Sequence, residues 1–346
     1  MRKTVTESDA VFSGTSTYVY DAFNRLTSAL NTKIGNINFA YDAAGNRTSD
    51  TNGSYSYNAA DQLTAAPGVS SWSYDGAGNL TGNSSGASIS YNDQNQSTSI
   101  TNSGSTLSSL AYADVDQTER TQAGSSSYAS SPLGAQVAKS GGSSTYYVRD
   151  NQGNLIGERI GANRYYYLKD GLGSTAALIN DSGSTVANRY SYGPYGKTVY
   201  KSETVSNPWQ FAGGYLDSTG LIKFGTRYYD PIVGRWTQRD PIAGSIGSAG
   251  AMNRYTYAGD DPTDYLDPLG TQASYDYDRL GAGMSWLWPG AIIGAAAGIV
   301  VGCIIGAIVG AGVTCIGGAM EGFFVGATLG AFAGVTYGFI TDQTFP

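Results

Sequence analysis

The chemistry open to this chain is limited first by a missing residue type, because none of its 346 residues is histidine. Serine–histidine–aspartate triads, cysteine–histidine nucleophiles, HExxH zinc sites and histidine-based nuclease sites are therefore excluded for this sequence. Any catalysis must rest on carboxylates, lysine, tyrosine, serine or cysteine. The two cysteines, Cys303 and Cys315, lie in an apolar C-terminal stretch, where small packing thiols are the simplest interpretation. We expect no metal site and no cofactor.

Two aspartate–proline motifs are prominent among the carboxylates. They are Asp240-Pro241, in the string DPIAG, and Asp267-Pro268-Leu269-Gly270. Asp-Pro-x-Gly is a favourable sequence for a type I or type II turn. Asp260-Asp261-Pro262 and Asp230-Pro231 are further turn candidates of the same kind. Taken alone, these residues predict turns.

The composition indicates a β-rich, largely polar protein with room for two or three domains. Hydrophobic residues make up 41% of the chain and charged residues only 14%, against about 25% charged in ordinary soluble domains. The 27 tyrosines and 48 glycines favour strands and turns over helices. The formal net charge of −7 leaves no general basic surface, so we expect no nucleic-acid partner. The opening residues, MRKTVTESDAVF, lack the apolar stretch of a secretory signal peptide.

The elements that would position the aspartates are repeats. The strings YDAFNRLTS, YDAAGNRTS, YNAADQLTA, YDGAGNLTG, YNDQNQSTS and the degenerate YADVDQTER begin at Tyr20, Tyr41, Tyr57, Tyr74, Tyr91 and Tyr112. Intervals of 16 to 21 residues indicate stacked supersecondary units. In each unit a tyrosine ends one strand, Asp or Asn with Gly-Asn forms a tight turn, and Leu or Arg followed by Thr starts the next strand. We expect the tyrosine rings to pack in a sheet with their hydroxyls at a wet edge; carbohydrate stacking is the alternative.

From Tyr146 the units lengthen, and a family resemblance becomes clear. The short units resemble YD repeats, and the block from about Tyr165 to Gly270 resembles the RHS repeat-associated core domain. Its most specific strings are DGLGST, SYGPYG, FGTRYYDPIVGRWTQRDPI and NRYTYAGDDPTDYLDPLG. The resemblance implies a mainly β protein, in which stacked antiparallel hairpins form part of a sheet that spirals into a hollow shell. It also implies YD/RHS-type repeats over residues 1–145, a core domain over 146–270 that seals one end, and a variable segment, often a toxin, over 271–346.

The resemblance gives the aspartates a catalytic role as well. Family members pair two DPxG motifs, and many cut their own chain just after the second, in chemistry that resembles an aspartic protease. Of two neighbouring carboxylates, one activates water while the other holds a proton and polarises the scissile carbonyl. By this resemblance Asp240 and Asp267 are the pair, Arg239 is a charge partner, and the cut falls within Gly270–Gln272. The extra residue in DPIAG and Thr271 in place of the usual leucine depart from the family pattern, so turns alone are the second interpretation.

After residue 270 the sequence becomes apolar and glycine-rich. Two apolar spans, about 291–311 and 318–340, carry glycine at every fourth residue, and Glu321 is the one charged residue within them. As helices, each would be about 30 Å long, the thickness of a bilayer's hydrocarbon core. Such glycine stripes let helices approach closely in lipid, and the expected packing positions are Gly294, Gly298, Gly302, Gly306, Gly322, Gly326, Gly330 and Gly334. We expect a C-terminal hydrophobic α-helical hairpin that inserts in a lipid bilayer and self-associates; a hairpin buried inside the shell is the alternative.

Two functions fit these features. In the first, the chain is a bacterial polymorphic-toxin-like protein, secreted or delivered at the cell surface, whose β-shell encloses a membrane-inserting effector and releases it by self-cleavage. An immunity protein or an upstream shell segment would be its partner. In the second, the hairpin anchors a structural or cell-surface β-repeat module in the producer's own membrane. Self-cleavage distinguishes the two, because a persistent full-length membrane form fits only the second.

Overall fold

The computed structural model describes residues 4–7, 14–32, 35–113, 118–242, 252–271 and 274–275. Residues 1–275 form one compact unit. The second unit, residues 276–346, contains both predicted tail helices with their eight glycines and lies outside the described residues, as does Gln272. Within the described part, the sheets hold their strands in chain order with antiparallel neighbours, which confirms the mainly β prediction. No helix in that part has the length and hydropathy needed to cross a bilayer.

The short repeats fold into a run of small sheets. The first contains β1 (Thr4–Glu7), β2 (Gly14–Tyr20), β3 (Leu26–Asn31) and β4 (Gly35–Asn38). Two short sheets follow, one with β5 (Ala40–Tyr41), β6 (Arg47–Asp50) and β7 (Gly53–Ser54), the other with β8 (Ser56–Tyr57) and β9 (Leu63–Ala65). The next sheet has five strands, β10 (Trp72–Tyr74), β11 (Leu80–Asn83), β12 (Ser88–Tyr91), β13 (Ser97–Asn102) and β14 (Ser105–Leu107).

A ten-stranded sheet forms the middle of the chain and runs across residues 145 and 146. Its strands are β15 (Ala111–Ala113), β16 (Glu119–Ala123), β17 (Ser126–Ser131), β18 (Gly134–Ser140), β19 (Ser143–Arg149), β20 (Leu155–Ile160), β21 (Asn163–Lys169), β22 (Thr175–Asn180), β23 (Val186–Tyr192) and β24 (Thr198–Glu203). Because each strand pairs with its neighbours in sequence, the tight turns between strands fix the register.

One tight turn recurs between the strands and explains the Asx-x-x-Gly pattern. At Asp42, the Oδ1 atom accepts hydrogen bonds from the backbone N–H groups of Ala44 (2.9 Å) and Asn46 (2.8 Å). Gly45 adopts a φ of +81°, which glycine reaches at low cost. The turn at Asp75 makes the same two bonds at 3.0 and 2.8 Å. The aspartate or asparagine oxygen thus satisfies N–H groups that have no strand partner, as predicted from the residue types.

The repeat tyrosines join each repeat to the one before it. Four of the six hydroxyls donate to the carbonyl of the first residue of a strand in the preceding repeat: Tyr41 to Leu26 (2.7 Å), Tyr57 to Arg47 (2.8 Å), Tyr91 to Leu80 (2.9 Å) and Tyr112 to Ser97 (2.9 Å). We call this series the tyrosine ladder. The expectation that these hydroxyls lie at a wet edge is wrong, and burial raises the pKa of Tyr112 to about 12. The ladder forms because a buried carbonyl left without a donor costs about 1–3 kcal/mol.

The closing segment, residues 207–242 and 252–271, packs against the repeats. It contains two 3₁₀ turns, Phe211–Gly213 and Ala258–Asp260, and the strands β25 (Tyr215–Leu216), β26 (Ile222–Phe224), β27 (Arg227–Asp230), β28 (Arg235–Trp236) and β29 (Tyr265–Leu266). The last of these strands, β29, pairs with β30 (Ser274–Tyr275). Its centre is a buried aromatic cluster in which the Tyr229 and Tyr257 ring centroids lie 4.6 Å apart. Such aromatic contacts stabilise the segment beyond their buried area.

Side chains of the closing segment bind successive repeat turns. The contacts are Arg235 to Asn46 (3.1 Å) and to the Asp61 carbonyl (2.7 Å), Tyr255 to the Gly78 carbonyl (2.7 Å), and Gln238 to the Asn95 carbonyl (2.9 Å). A buried ion pair continues the series: Arg120 on β16 contacts both carboxylate oxygens of Asp217, at 2.6 and 2.9 Å. The closing segment therefore fixes the edge of the repeat array on which the turns lie.

Candidate active site at the two aspartate–proline motifs

The fold brings the two predicted aspartates to one arginine. Arg227 is the first residue of β27, and its Nη2 atom lies 2.8 Å from Asp240 Oδ2 and 2.9 Å from Asp267 Oδ2. The side chains of Arg227 and Asp267 are each 3% exposed, whereas that of Asp240 is 18% exposed. A guanidinium group thus lies between the carboxylates, where the family resemblance implied that one of the two carboxyl groups holds a proton.

Each aspartate is held by its local turn. The N–H of Asp240 donates to the Arg254 carbonyl (2.8 Å), and its Oδ1 accepts the N–H of Ile242 (2.8 Å). Asp267 follows β29, and its Oδ1 accepts the N–H of Thr271 (3.0 Å), the same long bond that closes the repeat turns. The DPLG motif is therefore a repeat-type turn, and that turn also directs the carboxylate toward Arg227.

Arg227 is fixed independently of the two aspartates. Its guanidinium carbon lies 4.0 Å from the centroid of the Trp236 ring, a close cation–π contact. Its Nε atom donates to the Gly270 carbonyl at 2.6 Å. One side chain therefore contacts both carboxylates and the peptide group at which the sequence predicts the cut.

The electrostatics distinguish Asp240 from an ordinary surface carboxylate. Burial raises the pKa of Asp240, and the positive charge of Arg227 opposes this shift. Burial likewise lowers the pKa of the Arg227 guanidinium, whereas the negative charges of Asp240 and Asp267 act to raise it. A carboxylate with a raised pKa is a stronger base, which suits proton abstraction from water.

A cavity of about 490 Å³ lies beside Asp240. Its lining comes from two repeat turns, through Asn79 and Gln96, and from the closing segment, through Arg227 and Arg254. This volume is ample for several water molecules, since each water occupies about 30 Å³ in the liquid. Water therefore has room next to the more exposed carboxylate.

Arg239 is positioned differently from the predicted charge partner. Its side-chain methylenes occupy the space where a β-carbon on Gly78 would lie, and it interacts electrostatically with Tyr255. The ion pair of Asp240 is with Arg227. Sequence reasoning did not single out Arg227, although it lies in the string FGTRYYDPIVGRWTQRDPI that supported the family resemblance.

The predicted cleavage region lies directly on the start of β27. The N–H of Thr226 donates to the Leu269 carbonyl at 3.2 Å. Gly270 has a φ of +63°, and a β-carbon added there would lie 2.5 Å from the Phe224 carbonyl oxygen. A β-carbon on Gly225 would overlap the Leu269 carbonyl. Glycine at both positions permits this backbone-to-backbone approach.

Among the described residues, no group of three or more metal-ligating side chains is close enough to hold a metal ion.

Comparison with known proteins supports a common origin for this architecture. The chain is 29% identical over 273 residues to the tRNA3(Ser)-specific nuclease WapA of Bacillus spizizenii, an alignment that covers 78% of this chain and 10% of that protein. It is 32% identical over 106 residues to toxin subunit YenC2 of Yersinia entomophaga, covering 29% of this chain and 10% of that protein. The chain thus spans about a tenth of the length of these curated relatives.

Structural and family comparisons agree with the sequence alignments. The crystal structure of TcdB2-TccC3-TEV superimposes with a TM-score of 0.50 at 16% identity, over 74% of this chain and 17% of that one, which shows a shared fold. The Teneurin YD-shell family model matches residues 2–263, well over half of the chain. The repeats, with their ladder of tyrosines and their closing segment, are thus part of a β-shell, and the chain belongs to the Teneurin YD-shell family of RHS/YD-repeat proteins.

Proposed function

We propose that this chain forms part of the shell of a secreted bacterial polymorphic toxin, which encloses a C-terminal effector and releases it by self-cleavage. The similarity to a toxin subunit and to a nuclease of the same repeat family supports the toxin assignment. The convergence of Asp240 and Asp267 on one nitrogen of Arg227, beside the Gly270 carbonyl, supports the cleavage. In this proposal residues 1–145 are repeats, 146–270 the core domain and 271–346 the released segment.

In the proposed reaction each charged group has a distinct task. Asp240 faces the cavity and takes a proton from water. Arg227, whose Nε atom lies 2.6 Å from the Gly270 oxygen, polarises the scissile carbonyl and stabilises the negative charge that develops there. Asp267 bonds the Arg227 Nη2 atom and so holds the guanidinium in place. Arg227, rather than the protonated carboxyl expected from the sequence, polarises the carbonyl in this scheme.

Intact-mass measurement of the full chain tests the cleavage. We expect the wild type to yield a new terminus within residues 270–272, and Asp240→Asn and Asp267→Asn to stay intact. Asp230→Asn is the matched control, because Asp230 also precedes a proline in a turn and bonds the N–H of Ile232 rather than Arg227. A folded, aged wild-type chain that stays intact, or variants that cut at the wild-type rate, would refute the proposed site. An intact wild type that remains in membranes would support the anchored surface module instead.

We propose further that the released segment is a membrane-inserting effector, with the lipid bilayer as its target and an immunity protein as its partner in the producing cell. The apolar, bilayer-length spans and their common glycine spacing support this. In the full chain, replacing Gly302 and Gly306 by leucine should leave flotation with liposomes unchanged and reduce crosslinking between copies, because leucine prevents close helix approach. Unchanged crosslinking would contradict the glycine packing. A wild-type chain that does not float would leave only the buried hairpin.

A further inference from the structure

The Gly270 carbonyl has two hydrogen-bond donors. Besides Arg227 Nε at 2.6 Å, the hydroxyl of Thr226 donates to the same oxygen at 3.1 Å. Gly270 is buried, and Thr226 lies next to Arg227 at the start of β27. A carbonyl oxygen has two lone pairs and can accept both bonds, and two fixed donors at that oxygen would also stabilise a negative charge that develops there.

The nitrogen of the same peptide group is held as well. The N–H of Thr271 donates to Asp267 Oδ1 at 3.0 Å, while Asp267 Oδ2 contacts Arg227. The peptide group that joins Gly270 to Thr271 is therefore fixed at its oxygen and at its nitrogen by the three residues Thr226, Arg227 and Asp267.

We propose that the bond between Gly270 and Thr271 is the one that is cut, and that Thr226 is a catalytic residue which donates a hydrogen bond to the oxyanion. This inference rests on the proposed self-cleavage and adds to it a scissile bond and a side chain that the aspartate–proline motifs do not contain.

The reaction balances with water as the only co-reactant. Asp240 takes one proton from a water molecule as the water oxygen bonds to the Gly270 carbonyl carbon. The carbonyl oxygen becomes an oxyanion between the Thr226 hydroxyl and Arg227 Nε. The carbon–nitrogen bond then breaks, and the Thr271 nitrogen leaves with the proton that Asp240 had accepted. The immediate products are a carboxylic acid at Gly270 and an amine at Thr271, and Asp240 returns to its ionised form. The acid then gives its proton to the amine, which leaves a carboxylate at Gly270 and an ammonium group at Thr271.

The position of Thr226 follows from the backbone contact beneath it. Its own N–H bonds the Leu269 carbonyl at 3.2 Å, and the flanking Gly225 lacks the β-carbon that would overlap that carbonyl. The segment before β27 therefore lies directly against Leu269 and Gly270. This packing fixes the backbone of Thr226 beside Gly270, so that its short side chain reaches the Gly270 oxygen.

A matched pair of variants tests this role. Thr226→Val keeps the shape of the side chain and removes the hydroxyl, whereas Thr226→Ser keeps the hydroxyl. The full chain is made by cell-free synthesis, and the fraction cut is followed over time by intact mass, with sequencing of the new N-terminus. We expect the wild-type fragment to begin at Thr271, the valine variant to be cut about 100-fold more slowly, as on loss of one oxyanion donor, and the serine variant to be cut at close to the wild-type rate.

Each alternative outcome has a definite meaning. A fragment that begins at Gln272 overturns the assignment of the scissile bond. A valine variant that is cut as fast as the wild type overturns the role of the hydroxyl. A serine variant that is cut as slowly as the valine variant also overturns it, because the slower cleavage would then come from altered packing and not from the missing hydroxyl. In those three cases the proposed self-cleavage still stands. A wild-type chain that stays intact overturns the self-cleavage itself and this assignment with it.

Discussion

Replacing Asp217 by asparagine should weaken the attachment of the closing segment to the ten-stranded sheet. Asp217 and Arg120 form a two-point ion pair at 2.6 and 2.9 Å, and each side chain is only 4% exposed. Arg120 also donates to the Tyr228 hydroxyl at 2.8 Å. The substitution keeps the shape of the side chain but leaves the guanidinium charge buried without its carboxylate.

The expected loss is a substantial part of the stability of the fold. Removing one partner of a buried ion pair costs about 3–5 kcal/mol. Asparagine retains one acceptor oxygen, and the Tyr228 hydroxyl still accepts from Arg120, so we expect a loss of about 3 kcal/mol, at the lower end of that range. Domains are stable by about 5–15 kcal/mol in total. Replacing both partners, as in Arg120→Met with Asp217→Leu, should cost much less than the single change because no charge is left buried.

Urea unfolding followed by tryptophan fluorescence measures this loss. Asp181→Asn is the control, because Asp181 is an exposed turn residue and surface changes of this kind usually shift stability by no more than about 0.5 kcal/mol. A loss below about 1 kcal/mol for Asp217→Asn would show that the pair contributes like a surface ion pair. A double variant as unstable as the single one would show that the lost packing, rather than the unpaired charge, determines the cost.

Two further changes test other parts of the molecule. Burial raises the pKa of Glu158 from 4.5 to about 7, so the folded state binds this proton more tightly than the unfolded chain does. The stability that this proton contributes is fully present below pH 4.5 and is lost as the pH rises through 7. Glu158→Gln should therefore stabilise the protein relative to the wild type in urea unfolding at pH 8 but not at pH 4.5, and an equal difference at both pH values would contradict this origin. Gly270→Ala should abolish cleavage in the intact-mass assay, because its β-carbon would lie 2.5 Å from the Phe224 carbonyl oxygen at a φ of +63°; cleavage at the wild-type rate would mean that the close approach is not required.

The local parts of the fold could be predicted from the sequence. A repeat turn depends on bonds between an Asx side chain and N–H groups two and four residues later, as at Asp42 and Asp75. These bonds are specified within one short string, so residue type and spacing predict them. The pairing of Asp240 with Asp267 was available only through the family resemblance.

Contacts that depend on how repeats stack could not be predicted in this way. Arg235 bonds Asn46, and Arg227 bonds Asp267, across long stretches of chain. The tyrosine hydroxyls were expected at a wet edge because a single repeat gives no indication of the carbonyl above which its tyrosine will lie. The same applies to Thr226, whose bond to Gly270 arises from the packing of two distant backbone segments.

The tyrosine ladder has a consequence for how such arrays evolve. Because the tyrosines of the ladder each bond the repeat before them, as Tyr91 does to Leu80, a duplicated repeat would supply its own bond to the repeat before it. The closing segment sets the opposite condition, since Arg235 and Gln238 bind particular turns, and an extra repeat among those turns would shift every later one out of reach. The Tyr20 hydroxyl also lies 2.5 Å from Thr263 Oγ1 in the closing segment. We therefore expect copy number to vary between homologues upstream of Tyr20 and to be constant from Tyr20 to Tyr112.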